Sequence, residues 1–205
     1  MNIDALKAAE RAFLREFPGG FRHPDLVEVG KKHKMPQHEA FAKERFAKAR
    51  FQDPKTIVAD MATAVGRSSM VSMFEKPRFR DFAKQLDAAR TRQLASALHD
   101  LLHGPQADGF ERLVDVLSEP KLAKWPIVTV VPAYYRPQKE VFVKPTTAKL
   151  IIRKLELDLT YQARPSWAFY AAFRKAIMTM RSKVNENLQL NNPAFCGFLM
   201  MALED

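Results

Sequence analysis

The chain of 205 residues has a single cysteine, Cys196. One thiol excludes an internal disulfide, and its setting among Phe195, Phe198 and Leu199 suits a small buried hydrophobe rather than a nucleophile. Glycine is scarce as well, with seven in all, and these form neither a dinucleotide-binding loop nor a P-loop. No apolar run approaches the roughly 18 uncharged residues of a membrane span. The opening residues, Met1-Asn2-Ile3-Asp4, are charged too early for the hydrophobic region of a signal peptide. These absences lead to the expectation of a cytoplasmic protein with no membrane partner. Acidic residues are outnumbered, 23 against 33 lysines and arginines, for a net charge of +10. A field of that sign draws polyanions. The surplus is diffuse: residues 1–50 hold 11 basic and 7 acidic side chains, and residues 151–205 hold 7 and 5. Only a fold that gathers these cations on one face makes a binding surface of them.

What the chain does have is apolar mass. With 47% hydrophobic residues and 15 phenylalanines it is equipped to bury a core. Most of that mass is arranged with helical periodicity. Leu6, Phe13, Leu14 and Phe17 mark a first helix, stopped by Pro18-Gly19-Gly20. His23-Pro24 opens a second, Met35-Pro36 interrupts it, and Gln37–Arg50 continues as helix. Asp53-Pro54 pairs an acidic N-cap with proline at the first helical position, and the helix it opens stops at Gly66. Arg67–Lys76 is a Ser/Met-rich linker. Pro77–His103 reads as one or two helices, Phe110, Leu113, Val114 and Leu117 as the next, and Pro145–Leu155 as another. Ser166 caps the clearest helix, with Phe169, Phe173, Ile177, Met180 and Val184 on one face. Asn192-Pro193 opens a last helix so apolar that it must be covered by the core or by a second copy of the chain.

The segment from Trp125 to Leu150 stands apart. It is rich in proline (Pro126, Pro132, Pro137, Pro145) and carries two β-like runs, Ile127–Val131 and Glu140–Val143. The expected fold is therefore mainly α, a multi-helix orthogonal bundle with one small β-hairpin near residues 127–143. The length fits one compact domain spanning 1–205. If it divides, the linker separates a helical part, 1–66, from a second, 75–205, that adds the hairpin.

Four groups of residues bear on function. Val29–Phe41 has the outline of a helix-turn-helix, with Gly30 inside the first helix, Met35 after the turn, and basic residues on the second. Against it, Lys34 stands where the turn wants glycine, and His33 and Lys43 stand where such motifs bury apolar side chains. A helical hairpin with a solvated basic face is the simpler reading. The segment Tyr134-Tyr135-Arg136 combines rings that stack bases with a cation for phosphate, if it is an exposed turn. His99-Asp100-Leu101-Leu102-His103 spaces two histidines at i and i+4 as zinc ligands would be. It lacks a third ligand, however, and has Arg92 on the same helical line. Lys144-Pro145-Thr146-Thr147 places a lysine and two hydroxyls at a helix start, where phosphate can bind.

The leading expectation is a non-catalytic protein associated with DNA or RNA through Lys31, Lys32, Lys34, Arg45, Tyr134, Tyr135 and Arg136. A scaffold or oligomer that uses Phe195–Leu203 as its partner surface is the second reading. A metal-dependent hydrolase built on His99 and His103 is the third. No cofactor and no metal are expected.

Overall fold

The computed structural model describes residues 1–204 and is helical throughout, with no strand among the described residues. In chain order the α-helices are α1 (Ile3–Glu16), α2 (Pro24–His33), α3 (Met35–Arg45), α4 (Pro54–Arg67), α5 (Glu75–Gln85), α6 (Ala88–His103), α7 (Gln106–Ser118), α8 (Trp125–Tyr135), α9 (Pro145–Lys154), α10 (Trp167–Arg181) and α11 (Asn192–Leu203). None is long and apolar enough to cross a membrane. Local chemistry sets several starts. Asp53 and Ser166 accept hydrogen bonds from the Thr56 and Phe169 amides, as N-caps should. Asp87, capping through the Arg90 amide, breaks the Pro77–His103 stretch into α5 and α6.

The hairpin expected at 127–143 does not form. Ile127–Val131 lies inside α8, which Pro126 helps to start and which is buried on every side, from Trp125 through Tyr134 apart from Pro126. A short β-branched run has no period of its own, so burial decides between strand and helix. A helix that is apolar all round belongs in a core. Here α3, α4, α6 and α7 pack against α8. Its Thr129 hydroxyl donates to the Trp125 carbonyl at 2.6 Å, which keeps that polar group inside the helix.

Glu140–Val143, the other run expected in the hairpin, is neither helix nor strand. Side chains take the place of a ladder. The Val141 amide donates to the Tyr170 hydroxyl (3.2 Å), the Val143 amide to Thr129 Oγ1 (3.0 Å), and Asn192 Nδ2 donates to the Glu140 carbonyl (3.2 Å). A buried backbone has to be paired by something, and here it is paired by three helices.

Helices α6 and α7 approach closely at Gly109, where a Cβ would collide with the backbone at Leu101. And α11 turns inward: Phe195, Phe198 and Leu199 are fully covered by the chain's own helices, with Phe198 edge-on to Phe13 at 5.0 Å.

Candidate functional site

Helices α2 and α3 are joined by Lys34 alone, whose φ of 50° is left-handed. The expectation that this turn wants glycine is therefore correct in its geometry, and the chain meets it with a lysine. Left-handed backbone costs a side chain ~1–2 kcal/mol, and glycine gives back about half of that in unfolded-state entropy. Lys34→Gly is accordingly expected to raise stability by ~0.5 kcal/mol in urea unfolding while weakening any polyanion binding, a split that marks a residue kept for its charge.

Beyond the turn, positions 38, 41 and 45 fall on one side of α3. Arg67, at the end of α4, joins them from across the seam. Its guanidinium carbon lies 5.6 Å from the Phe41 ring centroid, and that of Arg45 lies 6.0 Å away. His38 is buried and stacks on Tyr134 at 4.4 Å. Burial, and then the charges of Arg67 and Lys34, hold its pKa below the ordinary 6.5.

The two ends of this seam differ. At one end Arg45 pairs with Glu44 at 3.3 Å and faces Asp60, whose half-buried carboxyl is pushed up by desolvation. At the other, Lys32, Lys34 and Arg67 are exposed and form no ion pair among the described residues. Lys31 pairs only with exposed Glu28 at 2.5 Å, a surface bridge of little net worth. His33 Nδ1 meets Ser69 Oγ at 2.9 Å, which ties the end of α2 to the loop after α4. The positive end of the seam is thus built by the ends of α2 and α4 and the start of α3.

Lys31, Lys32 and Lys34 are all exposed around the α2–α3 turn, Arg45 lies at the far end of the same seam, and the aromatic residues of the expected surface lie elsewhere. Tyr134 is buried, its hydroxyl donating to Ser68 Oγ at 2.8 Å, so neither face is free for a base. Tyr135 is half-buried against His103 at 5.4 Å, and Arg136 binds Glu140 at 3.0 Å and the Leu101 carbonyl at 3.3 Å. Lys144 and Thr146 are exposed at the start of α9, while Thr147 is buried.

His99 and His103 lie 5.5 Å apart, centroid to centroid, beside Phe51. Each already has a partner, His99 Nδ1 with Asp100 at 2.9 Å and His103 Nε2 with the Phe46 carbonyl at 2.8 Å. Asp100 is also bound by Arg112. Among the described residues no group of three His, Cys, Asp or Glu could hold a metal ion.

Burial also lowers the pKa of His103, opposed in part by the bond to Phe46. For His38 and His103 alike, the unfolded chain binds protons more readily than the folded one, so their contribution to stability is full above about pH 6.5 and is lost as pH falls through the lowered native values. Thermal melts are expected to show a lower Tm at about pH 5.5 than at about pH 7.5, with a smaller difference in His38→Gln.

A second cluster escaped the sequence altogether. Glu140, 1% exposed, accepts from Arg174 (2.7 Å) and the Tyr170 hydroxyl (2.9 Å) on one oxygen. Its other oxygen accepts from Gln106 (2.9 Å) and forms an ion pair with Arg136 (3.0 Å). The Arg174 guanidinium also lies over the Trp167 and Tyr170 rings. With three hydrogen bonds and two guanidinium partners, this carboxylate is a structural tie between α7, α10 and the end of α8 rather than a free base. A glutamate directly before the apolar run Val141-Phe142-Val143 was the available signal.

No protein-family model matches the chain, and neither a curated protein nor a solved structure matches it.

Proposed function

We propose that this protein binds nucleic acid without chemistry, through phosphate contacts made by the positive end of the α3–α4 seam. The observation that carries this reading is the convergence of Lys34 and Arg67 on His38, both exposed and without an ion pair among the described residues, with exposed Lys31 and Lys32 just before Lys34 in the chain. Cations placed near one another without carboxylate partners repel, and a chain tolerates that arrangement where a polyanion relieves it. The net charge of +10 adds long-range attraction.

Phosphate contact, and not base readout, is the mode that fits. The outward face of α3 carries Gln37, Ala40, Lys43 and Glu44, and Lys43 is already paired with Glu39 at 2.7 Å. That face offers few groups to a major groove, whereas the seam end offers charge at a tight turn. Binding of this kind is tolerant of sequence and steep in salt.

Fluorescence anisotropy with labelled duplex, single-stranded DNA and RNA tests the reading. With about four phosphate contacts, affinity is expected to fall roughly hundredfold between ~50 and ~200 mM salt. No binding at the lower salt would overturn it.

A further inference from the structure

The loop between α4 and α5 exposes its two largest side chains. Met73 is 75% and Phe74 78% exposed, more than any other large hydrophobic residue described. The loop is nevertheless firmly built. Val71 is buried in the core, and Ser68 accepts from both the Tyr134 hydroxyl (2.8 Å) and the Met70 amide (3.1 Å). Ser72 accepts the Phe74 amide on its hydroxyl (3.3 Å) and the Glu75 amide on its carbonyl (3.0 Å). A loop fixed at that many points presents its apolar tip by construction.

The surroundings of the tip are cationic. The loop leaves α4 at Arg67, touches the end of α2 through the Ser69–His33 contact, and enters α5 beside Lys76 and Arg78. Lys124 and Arg78 lie close enough to act on Glu75, the carboxylate nearest the tip in sequence, which is itself half-buried. An exposed ring with lysine and arginine on the adjoining segments offers what a single strand needs, a face for an unpaired base and cations for its backbone. It is also the pairing of aromatic and cation that the sequence suggested at Tyr134-Tyr135-Arg136, found here at a different place.

Resting on the reading of the seam as a nucleic-acid surface, we infer that Phe74, with Met73 beside it, is a base-stacking platform that directs this surface to single-stranded nucleic acid. Charge at Lys32, Lys34 and Arg67 supplies attraction to any polyanion, and Phe74 adds the part that only an unstacked base can use. A duplex keeps its bases stacked on one another and gains less from the ring.

The test compares oligo(dT), a duplex of equal length and heparin, with wild-type protein and Phe74→Ala. A side chain this exposed leaves the fold unchanged when truncated. Phe74→Ala is expected to lose about tenfold in affinity for oligo(dT), the loss of one stacked base, and less than about twofold for heparin. Phe74→Trp is expected to keep the affinity and to show indole fluorescence quenched by oligo(dT) but not by heparin. Equal affinity of wild-type and Phe74→Ala for oligo(dT) would overturn the platform and leave the charged seam standing. If wild-type protein binds none of the three polyanions, both readings fail. If it instead sediments with phosphatidylserine vesicles, in a manner lost in Phe74→Ala, the tip is a lipid contact and the inference is overturned.

Discussion

Glu140→Ala is expected to destabilise the protein by ~3–5 kcal/mol, the usual penalty for removing one member of a buried ion pair. The carboxylate is 1% exposed and holds Arg174, Arg136, Gln106 and Tyr170 at once. Without it the Arg174 and Arg136 guanidiniums and the Tyr170 phenol lose the buried carboxylate they share. In a chain of this length each kcal/mol moves Tm by about 2–4 °C, so the melting point is expected to drop by ~10 °C or more. Tyr170 adds a second sign of the same network: burial, and then the charge of Glu140, push its phenol well above the ordinary value of 10.0. Glu140→Gln, which keeps the shape but turns one oxygen into a donor, is expected to lose less. Urea unfolding of the two variants checks both, and an unchanged midpoint in Glu140→Ala would contradict the role assigned to the cluster.

The second large effect concerns binding. Lys32→Gln, Lys34→Gln and Arg67→Gln together remove three exposed charges that take part in no ion pair among the described residues. Stability is expected to change by no more than ~1 kcal/mol, as is usual for surface substitutions. Affinity for duplex DNA is expected to fall by roughly hundredfold or more at ~0.1 M salt. The slope of log affinity against log salt should shrink by about 0.9 for each contact removed. The same triple change at Lys149, Arg153 and Lys175, exposed on α9 and α10, is expected to do far less. If the two triple variants weaken binding equally, net charge and not the seam is responsible.

The parts of the fold written in local chemistry were legible in advance. Asp53 and Ser166 cap helices because their side chains reach amides three residues on. The heavy apolar content of Phe195–Leu203 demanded cover, and the core provides it. The parts decided by distant residues were not legible. Ile127–Val131 is as good a strand as a helix until α3, α4, α6 and α7 surround it, and Glu140–Val143 needed Tyr170, Thr129 and Asn192 to stand in for a neighbouring strand.

The site divides in the same way. Lys31, Lys32 and Lys34 are near neighbours in the sequence, so their charge is visible there as one cluster. The i, i+3, i+7 spacing of His38, Phe41 and Arg45 on α3 was available as a signal. Arg67 was not, because it lies 33 positions from Lys34 and only the packing of α3 on α4 brings the two to one buried histidine. Tyr134 and Tyr135 show the reverse error: aromatic residues beside an arginine look like a binding loop until α8 carries them inward.

The most direct test of the seam as a binding surface is a 1H–15N correlation spectrum titrated with a short oligonucleotide. The expected result is a set of shifts confined to the amides of Lys31–His38, Arg67–Ser69 and Met73–Lys76, with the α9, α10 and α11 signals unmoved. Shifts centred on any other surface, or none at low salt, would contradict it.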